Sequence, residues 1–111
     1  YVDKAKILSA KNQILSYRMA LNAFYLDCGV YPSTEQGLQA LWEKPILYPI
    51  PKNWKGPYIE SEVKVDPWGN DFVYKNQASE KDVVPYEIIS YGADGQEGGT
   101  GNEEDLVSWK M

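Results

Sequence analysis

The stretch that most restricts the fold of this chain runs from residue 2 to residue 28 and contains neither glycine nor proline. Apolar or aromatic side chains recur in it at alternating intervals of three and four residues. They are Ile7, Ala10, Ile14, Tyr17, Leu21, Phe24 and Cys28. This spacing lines one face of an α-helix, and Gly29 stands where a left-handed residue commonly ends one. The sequence therefore predicts a helix over residues 2–28, roughly 40 Å long.

The start of this helix is predicted to lack a cap, because no Ser, Thr, Asp or Asn precedes its first residues. Such a start is typical of a processed or truncated chain, so we expect a targeting or membrane segment ahead of Tyr1. The second half of the helix is expected to pack on a sheet. The first half, which carries Lys4, Lys6 and Lys11, is expected to contact other copies of the protein.

A short second helix and an irregular connection are predicted next. Ser33 and Gln36 have the spacing of a capping box. Leu38, Leu41 and Trp42 form the apolar face of a short helix that ends at Pro45. Residues 45–58 hold four of the seven prolines. Because proline interrupts both helices and central strands, this segment is predicted to be an irregular, packed connection.

From residue 59 onward the apolar pattern changes to a period of two, which indicates strands. Strands are predicted at 59–65, 71–75 and 86–92. The sequence DPWGN at 66–70 has the proline and glycine positions of a type I turn. The polar residues 76–82 are predicted to form a hairpin loop. A long helix, a short helix and a small antiparallel sheet together predict an α+β fold.

The charge of the chain is unevenly distributed. Residues 1–55 carry seven Lys or Arg and four Asp or Glu, a net +3, whereas residues 56–111 carry four Lys and twelve Asp or Glu, a net −8. An acidic second half argues against nucleic acid as a partner. It is compatible with a bound cation or with self-association of the two unlike halves. No repeat or low-complexity linker divides the chain, so one domain is predicted over residues 1–111.

Catalysis is not predicted. The chain has no histidine, so the commonest general base and the commonest transition-metal ligand are both missing. The only cysteine, Cys28, belongs to the apolar face of the predicted helix, where a structural thiol is expected rather than a nucleophile. We therefore predict that the protein is not an enzyme.

The segment from Tyr91 to Leu106 combines five glycines with five acidic residues. Carboxylates spaced along a flexible backbone suit Ca²⁺, which takes about 6–8 oxygen ligands. The helix–loop–helix calcium motif does not fit, since Gln96 and Gly98 stand where that motif needs early carboxylates. From the residues alone, a calcium loop and a solvated acidic loop without a ligand both remain open.

Three motifs occur in a fixed order after the long helix: YPSTEQGLQAL at 31–41, DPWGNDFVY at 66–74 and SYGADGQEGGTGNEEDLVSW at 90–109. In these the chain closely resembles the major pseudopilins of bacterial type II secretion, the protein G class. The resemblance implies a type IV pilin-like fold, with a long N-terminal helix on a small antiparallel sheet. It implies a structural subunit of a pseudopilus that helps to export folded proteins across the outer membrane.

The same resemblance implies a location, a modification and partners. Its members have an N-terminal helical half in the bacterial inner membrane, which is cleaved and N-methylated by a prepilin peptidase, and a globular domain in the periplasm. The implied partners are further copies of the chain, minor pseudopilins and the inner-membrane assembly platform.

Family members bind Ca²⁺ in the C-terminal loop, which implies a calcium site in this chain. Asp94 matches the aspartate of the family's G-x-D-G segment, and Asp105 matches the acid ahead of the final aliphatic residue. Glu104 stands where some members also have an acid. Tyr91 and Asn102 are the positions from which backbone carbonyls are expected.

A competing prediction is a calcium-bearing carbohydrate-binding or adhesin module, in which tryptophans would form the binding surface. Each tryptophan, however, stands beside a helix end, a proline or a turn, where a core or loop-anchoring role is expected. They are Trp42, Trp54, Trp68 and Trp109.

Overall fold

The computed structural model describes residues 3–77, 84–93 and 105–108. Within these residues the chain forms one α-helix, α1 (Lys4–Cys28), and a 3-10 helix (Leu38–Leu41). Three strands follow: β1 (Val73–Asn76), β2 (Tyr86–Ser90) and β3 (Leu106–Val107). The architecture is α+β, as predicted.

The three strands form one antiparallel sheet in the order β1-β2-β3. Val73 pairs with Ile89 between the first two strands, and Ser90 pairs with Leu106 between the last two. The strand β2 therefore lies in the centre of the sheet, and it packs against α1. Among the described residues, the structure contains no helix that combines the length and the apolar character needed to cross a bilayer.

The helix α1 has a cap at each end. Asp3 precedes it, and the Asp3 carboxylate accepts a hydrogen bond from the backbone N–H of Lys6 at 3.2 Å. The prediction of an uncapped start at residue 2 was therefore wrong, because Asp3 itself supplies the acceptor that the first turn needs. At the other end Gly29 is left-handed, with φ of 77°, and its N–H donates to the carbonyl of Tyr25. This confirms the predicted helix end.

The core lies between one face of α1 and the sheet, with the 3-10 helix closing one side. The predicted stripe is buried from Ala10 to Phe24, whereas Ile7 and Cys28 at its two ends are only half-buried. The residues that pack against it from the rest of the chain are Leu38, Ala40, Leu41, Tyr74, Tyr86, Ile88 and Leu106. The periodicity thus identified the buried face of the helix correctly.

The strand predicted at 59–65 does not form. This segment runs beside α1 and uses helix side chains as hydrogen-bond partners instead of a neighbouring strand. The backbone N–H of Lys64 donates to the Tyr17 hydroxyl at 3.2 Å, and the Gln13 amide donates to the carbonyl of Val65 at 3.0 Å. The third strand of the sheet is β3, which the sequence did not predict because two residues are too few to show a period.

The predicted capping box is present. Gln36 N–H donates to the Ser33 hydroxyl at 3.1 Å, and the Gln36 side-chain oxygen accepts from Ser33 N–H at 2.9 Å. This capping box lies at a turn and not at the start of an α-helix. The short helix that follows is the 3-10 helix at Leu38–Leu41. The predicted DPWGN turn is confirmed, since Gly69 N–H donates to the carbonyl of Asp66 at 3.0 Å. The predicted hairpin loop lies mostly outside the described residues.

The connection at 45–58 is irregular, as predicted, but only its second half is packed. Trp54 donates its indole N–H to the carbonyl of Ala40 at 2.8 Å, and Tyr58 N–H donates to the carbonyl of Leu41. In the first half, by contrast, Ile46 is 88% exposed and Tyr48 is 91% exposed. The prediction of packing was wrong for residues 46–50, whose side chains are exposed.

Candidate functional site

Two of the five predicted calcium ligands, Tyr91 and Asp105, lie within the described residues, next to the last paired residues of β2 and β3. Tyr91 directly follows β2 and Asp105 directly precedes β3. Ser90 pairs with Leu106 as the last pair of this antiparallel register, so Tyr91 and Asp105 each stand one residue beyond it. The other three, Asp94, Asn102 and Glu104, lie outside the described residues.

The segment between Tyr91 and Asp105 is called the C-terminal loop here, and its β2 end is fixed by hydrogen bonds. The Ser90 side chain is fully buried and donates from its hydroxyl to Oδ2 of Asp66 at 2.8 Å. One residue beyond Tyr91, the carbonyl of Gly92 accepts a hydrogen bond from the Asn70 side-chain amide at 3.2 Å. The turn at 66–70 therefore holds the Ser90 side chain and the Gly92 backbone, on the two sides of Tyr91.

The carboxylate of Asp66 is the centre of this arrangement and is only 2% exposed. Its Oδ1 accepts from the backbone N–H groups of Trp68 at 3.0 Å and Asn70 at 2.9 Å, and its Oδ2 accepts from Ser90. Three donors thus replace the water that this carboxylate loses on burial. We call Asp66, Asn70 and Ser90 the loop clamp.

The second end of the loop is fixed through Ser108. Its buried hydroxyl accepts a hydrogen bond from the backbone N–H of Ile88 at 2.9 Å, and its carbonyl accepts from the Arg18 guanidinium at 3.3 Å. The short strand β3 is thereby tied to β2 and to α1 at once. Both ends of the segment from Tyr91 to Asp105 are therefore anchored on the core.

The oxygen atoms of Tyr91 and Asp105 are of the chemical type that binds Ca²⁺. A carboxylate from Asp105 and a backbone carbonyl from Tyr91 are hard oxygen ligands of the type that Ca²⁺ prefers. Among the residues that the structure describes, no three Cys, Asp or Glu side chains cluster closely enough to hold a metal. A complete coordination shell would therefore need donors from the loop between the two anchored ends.

The thiol of Cys28 is half-buried. Burial raises the pKa of this thiol, and the nearby Asp27 carboxylate raises it further, although a hydrogen bond with Tyr58 opposes both. A catalytic cysteine needs the opposite change, because the thiolate is the reactive form. The shift agrees with a structural role for Cys28.

The loop clamp was not predicted from the sequence. Part of it could have been, since an aspartate at the first position of a proline–glycine turn commonly accepts from the backbone two residues on. The contact with Ser90 could not, because 24 residues separate it from Asp66 and no periodic pattern links them.

Comparison with known proteins decides the family. The family model described as "Type II secretion system (T2SS), protein G" matches residues 1–109. The chain belongs to this family. It is 42% identical to the type II secretion system core protein G of Pseudomonas aeruginosa, over 96% of this chain and 73% of that protein. With the core protein G of Vibrio cholerae it also shares 42% identity, over 98% of this chain and 72% of that protein.

The fold agrees with this protein G assignment. The crystal structure of the major pseudopilin from the type 2 secretion system of enterohaemorrhagic Escherichia coli superposes with a TM-score of 0.81 and 33% sequence identity. The match covers 98% of this chain and 90% of that one. The comparisons give no support to a carbohydrate-binding or adhesin module. Trp54 contributes to anchoring the 45–58 connection, and Trp68 packs against the core, as expected from their positions in the sequence.

Proposed function

We propose that this protein G homologue is the structural subunit of a type II secretion pseudopilus and takes part in exporting folded proteins across the outer membrane. The observation that carries the proposal is the match of nearly the whole chain both to the family model and to a solved major pseudopilin. Residues 1–111 form one periplasmic domain. A preceding helical segment, cleaved and N-methylated, holds it in the inner membrane.

Its partners are further copies of the chain, minor pseudopilins and the inner-membrane assembly platform. Its role is mechanical and requires no catalytic residue. The raised pKa of the Cys28 thiol supports this view, as does the absence of histidine from the sequence. The acidic second half makes nucleic acid an unfavourable partner.

We further propose that Ca²⁺ closes the loop between β2 and β3, with ligands from Tyr91, Asp94, Asn102, Glu104 and Asp105. Support comes from the register, whose last pair is Ser90 and Leu106, the residues next to Tyr91 and Asp105. It also comes from the loop clamp, which holds the backbone beside Tyr91 before any ion arrives. A site whose ends are already ordered costs less entropy to complete.

The assembly role is tested with the full-length gene product in a host that lacks its own major pseudopilin. We expect filaments that can be sheared from the cells and export of the host's secreted enzymes. The host's own subunit, supplied in the same way, is the control. If that control restores both while this protein remains unassembled in the membrane, the proposal is contradicted.

The calcium site is tested by titrating Ca²⁺ into the protein in a calorimeter. Asp105→Ala should weaken binding strongly, because it removes a carboxylate ligand at an anchored end of the loop. Asp71→Ala removes an exposed carboxylate of the same charge elsewhere and should bind as the unmodified protein does. Equal affinity of both variants would contradict the assignment of Asp105.

A further inference from the structure

The connection after the 3-10 helix presents an apolar surface that the core does not cover. Its members are Ile46, Leu47, Tyr48 and Ile50, and each is at least half exposed. We call these four residues the apolar knob. Large apolar side chains grouped on a surface in this way mark interaction sites.

The apolar knob is held in a defined position. The side-chain amide of Gln36 donates to the carbonyl of Leu47 at 2.8 Å and to the carbonyl of Pro49 at 2.7 Å. The same Gln36 belongs to the capping box with Ser33, so its side chain is fixed from two sides. A surface that is ordered before contact loses little entropy when it binds.

A groove of about 530 Å³ lies on another part of the molecule, between α1 and the segment that follows Tyr58. Its helix wall consists largely of small side chains, at Ser16, Ala20 and Ala23, beside Met19, which is 73% exposed. Small residues leave space for incoming side chains, and methionine adapts its shape to them. We call this cavity the α1 groove.

The charges beside the two surfaces are complementary. Lys44 and Lys52 flank the apolar knob and are exposed. Glu60 and Glu62 line the α1 groove, together with Lys64 of the opposite sign, and all three are exposed. The exposed Glu43 beside Lys44 leaves the knob side with a net charge of +1. The groove rim carries a net charge of −1, and the opposite signs favour this orientation of approach.

The α1 groove also contains a buried hydrogen-bond acceptor, the side-chain oxygen of Gln13. Gln13 lines the groove, and its side-chain oxygen is buried without a hydrogen bond within the part of the chain that the structure describes. Buried acceptors of this kind are normally satisfied. A donor carried in by an incoming surface, such as a lysine ammonium, would satisfy it after a small movement of the amide.

We propose that the apolar knob of one copy of this chain seats in the α1 groove of the next copy. Because the two surfaces are different, the contact is heterologous, and a heterologous contact that does not close into a ring extends into a helical filament. The inference rests on the proposed function as a pseudopilus subunit. It goes further by naming the two faces that meet.

The contact is tested by cysteine cross-linking in the full-length protein, in a Cys28→Ala background that removes the native thiol. Tyr48→Cys and Ala23→Cys are introduced together, and filaments are oxidised on the cells. We expect a ladder of covalent multimers from the double variant and none from either single variant. Dimers from Tyr48→Cys alone would show knob-to-knob contact and would overturn the inference.

Charge exchange provides a second test that does not depend on the cysteines. Filament yield should fall by about tenfold when Lys44 and Lys52 are both changed to Glu, and by a similar factor when Glu60 and Glu62 are both changed to Lys. A chain that carries all four changes should recover most of the yield, because the two signs are again opposite. All four positions are exposed, so the fold should tolerate these changes.

The outcomes separate this inference from the function on which it rests. If the unmodified protein forms no filaments in the cell, the proposed function fails. If it forms filaments but gives no ladder, and the charge variants assemble normally, only the knob-in-groove contact is overturned. If the Lys44 and Lys52 changes reduce the filament yield and the chain with all four changes does not recover it, the apolar knob would be assigned to a membrane surface. That result would also overturn the knob-in-groove contact.

Discussion

At the scale of single residues, Asp66 shows how one side chain connects two distant segments. It is buried, it closes its own turn through two backbone N–H groups, and it accepts from Ser90 at the start of the C-terminal loop. A carboxylate can do all three because it has two oxygens and several lone pairs. No neutral apolar residue of similar size could take its place.

Asp66→Ala is expected to lower the free energy of unfolding by roughly 2–4 kcal/mol, because it leaves buried donors without an acceptor. Asp66→Asn should cost less, since the amide oxygen can still accept from Trp68 and Asn70. Asp71→Ala, an exposed carboxylate nearby, should change stability by no more than about 0.5 kcal/mol. Urea unfolding measures all three, and equal losses from Asp66→Ala and Asp71→Ala would contradict the role of Asp66.

Tyr58 leads to a prediction about alkaline stability. Its hydroxyl donates to Asp27 at 2.8 Å and accepts from Lys55 N–H at 2.9 Å. Burial raises the pKa of Tyr58 to about 12, and the hydrogen bond and charge of Asp27 act in the same direction. In the unfolded chain a tyrosine has a pKa of about 10. Between these values the folded state keeps a proton that the unfolded state has lost.

The contribution of Tyr58 is therefore complete below about pH 10 and is lost as the pH rises toward about 12. Tyr58→Phe should reduce the fall of the unfolding free energy across this window, because the variant has no hydroxyl to titrate. Tyr48→Phe, at a ring that is 91% exposed, is the control. Urea unfolding at a series of pH values gives the slope, and an unchanged slope in Tyr58→Phe would contradict the assignment.

At the scale of elements, local patterns could be read from the sequence, but the choice of partners could not. The helix α1, its apolar face and its end at Gly29 follow from periodicity and one glycine, and the structure has all three. The segment 59–65 has the alternation of a strand, yet alternation does not say what the backbone will bond to. Helix side chains took the place of a neighbouring strand.

The connection at 45–58 gives a prediction at this scale, because Gly56 lies between two of its anchoring rings. A Cβ atom at this position would lie 2.5 Å from the Trp54 ring and 2.9 Å from the Tyr58 ring. Gly56→Ala should therefore displace both rings and cost about 3 kcal/mol. Gly29→Ala, where the same atom meets nothing within 4 Å, should cost only about 1 kcal/mol of backbone strain.

The measurement that separates these two variants is near-ultraviolet circular dichroism together with urea unfolding. Gly56→Ala should change the aromatic signal, since Trp54 and Tyr58 pack edge to face with ring centroids 5.7 Å apart. Gly29→Ala should keep the signal of the unmodified protein. An unchanged aromatic spectrum in Gly56→Ala would show that the connection tolerates the added atom.

At the scale of the whole molecule, the sheet, the turn and the helix converge on the two ends of one loop. The sequence indicated which oxygen donors the loop contains, and the family resemblance indicated what they would bind. Neither could show that Asp66 and Asn70 hold the backbone beside Tyr91 or that Arg18 holds the strand beyond Asp105. These contacts join segments that are far apart in the chain, so only the folded structure reveals them.

We predict that a calcium ion closes this anchored loop and so stabilises the subunit. Thermal unfolding with Ca²⁺ and with EGTA tests it directly. At a hundredfold excess over the dissociation constant, binding should add about 2.7 kcal/mol and raise the midpoint by roughly 10 °C. Asp94→Ala or Asp105→Ala should abolish the rise, and Asp71→Ala should keep it. Equal midpoints of the unmodified protein in calcium and in EGTA would contradict the claim.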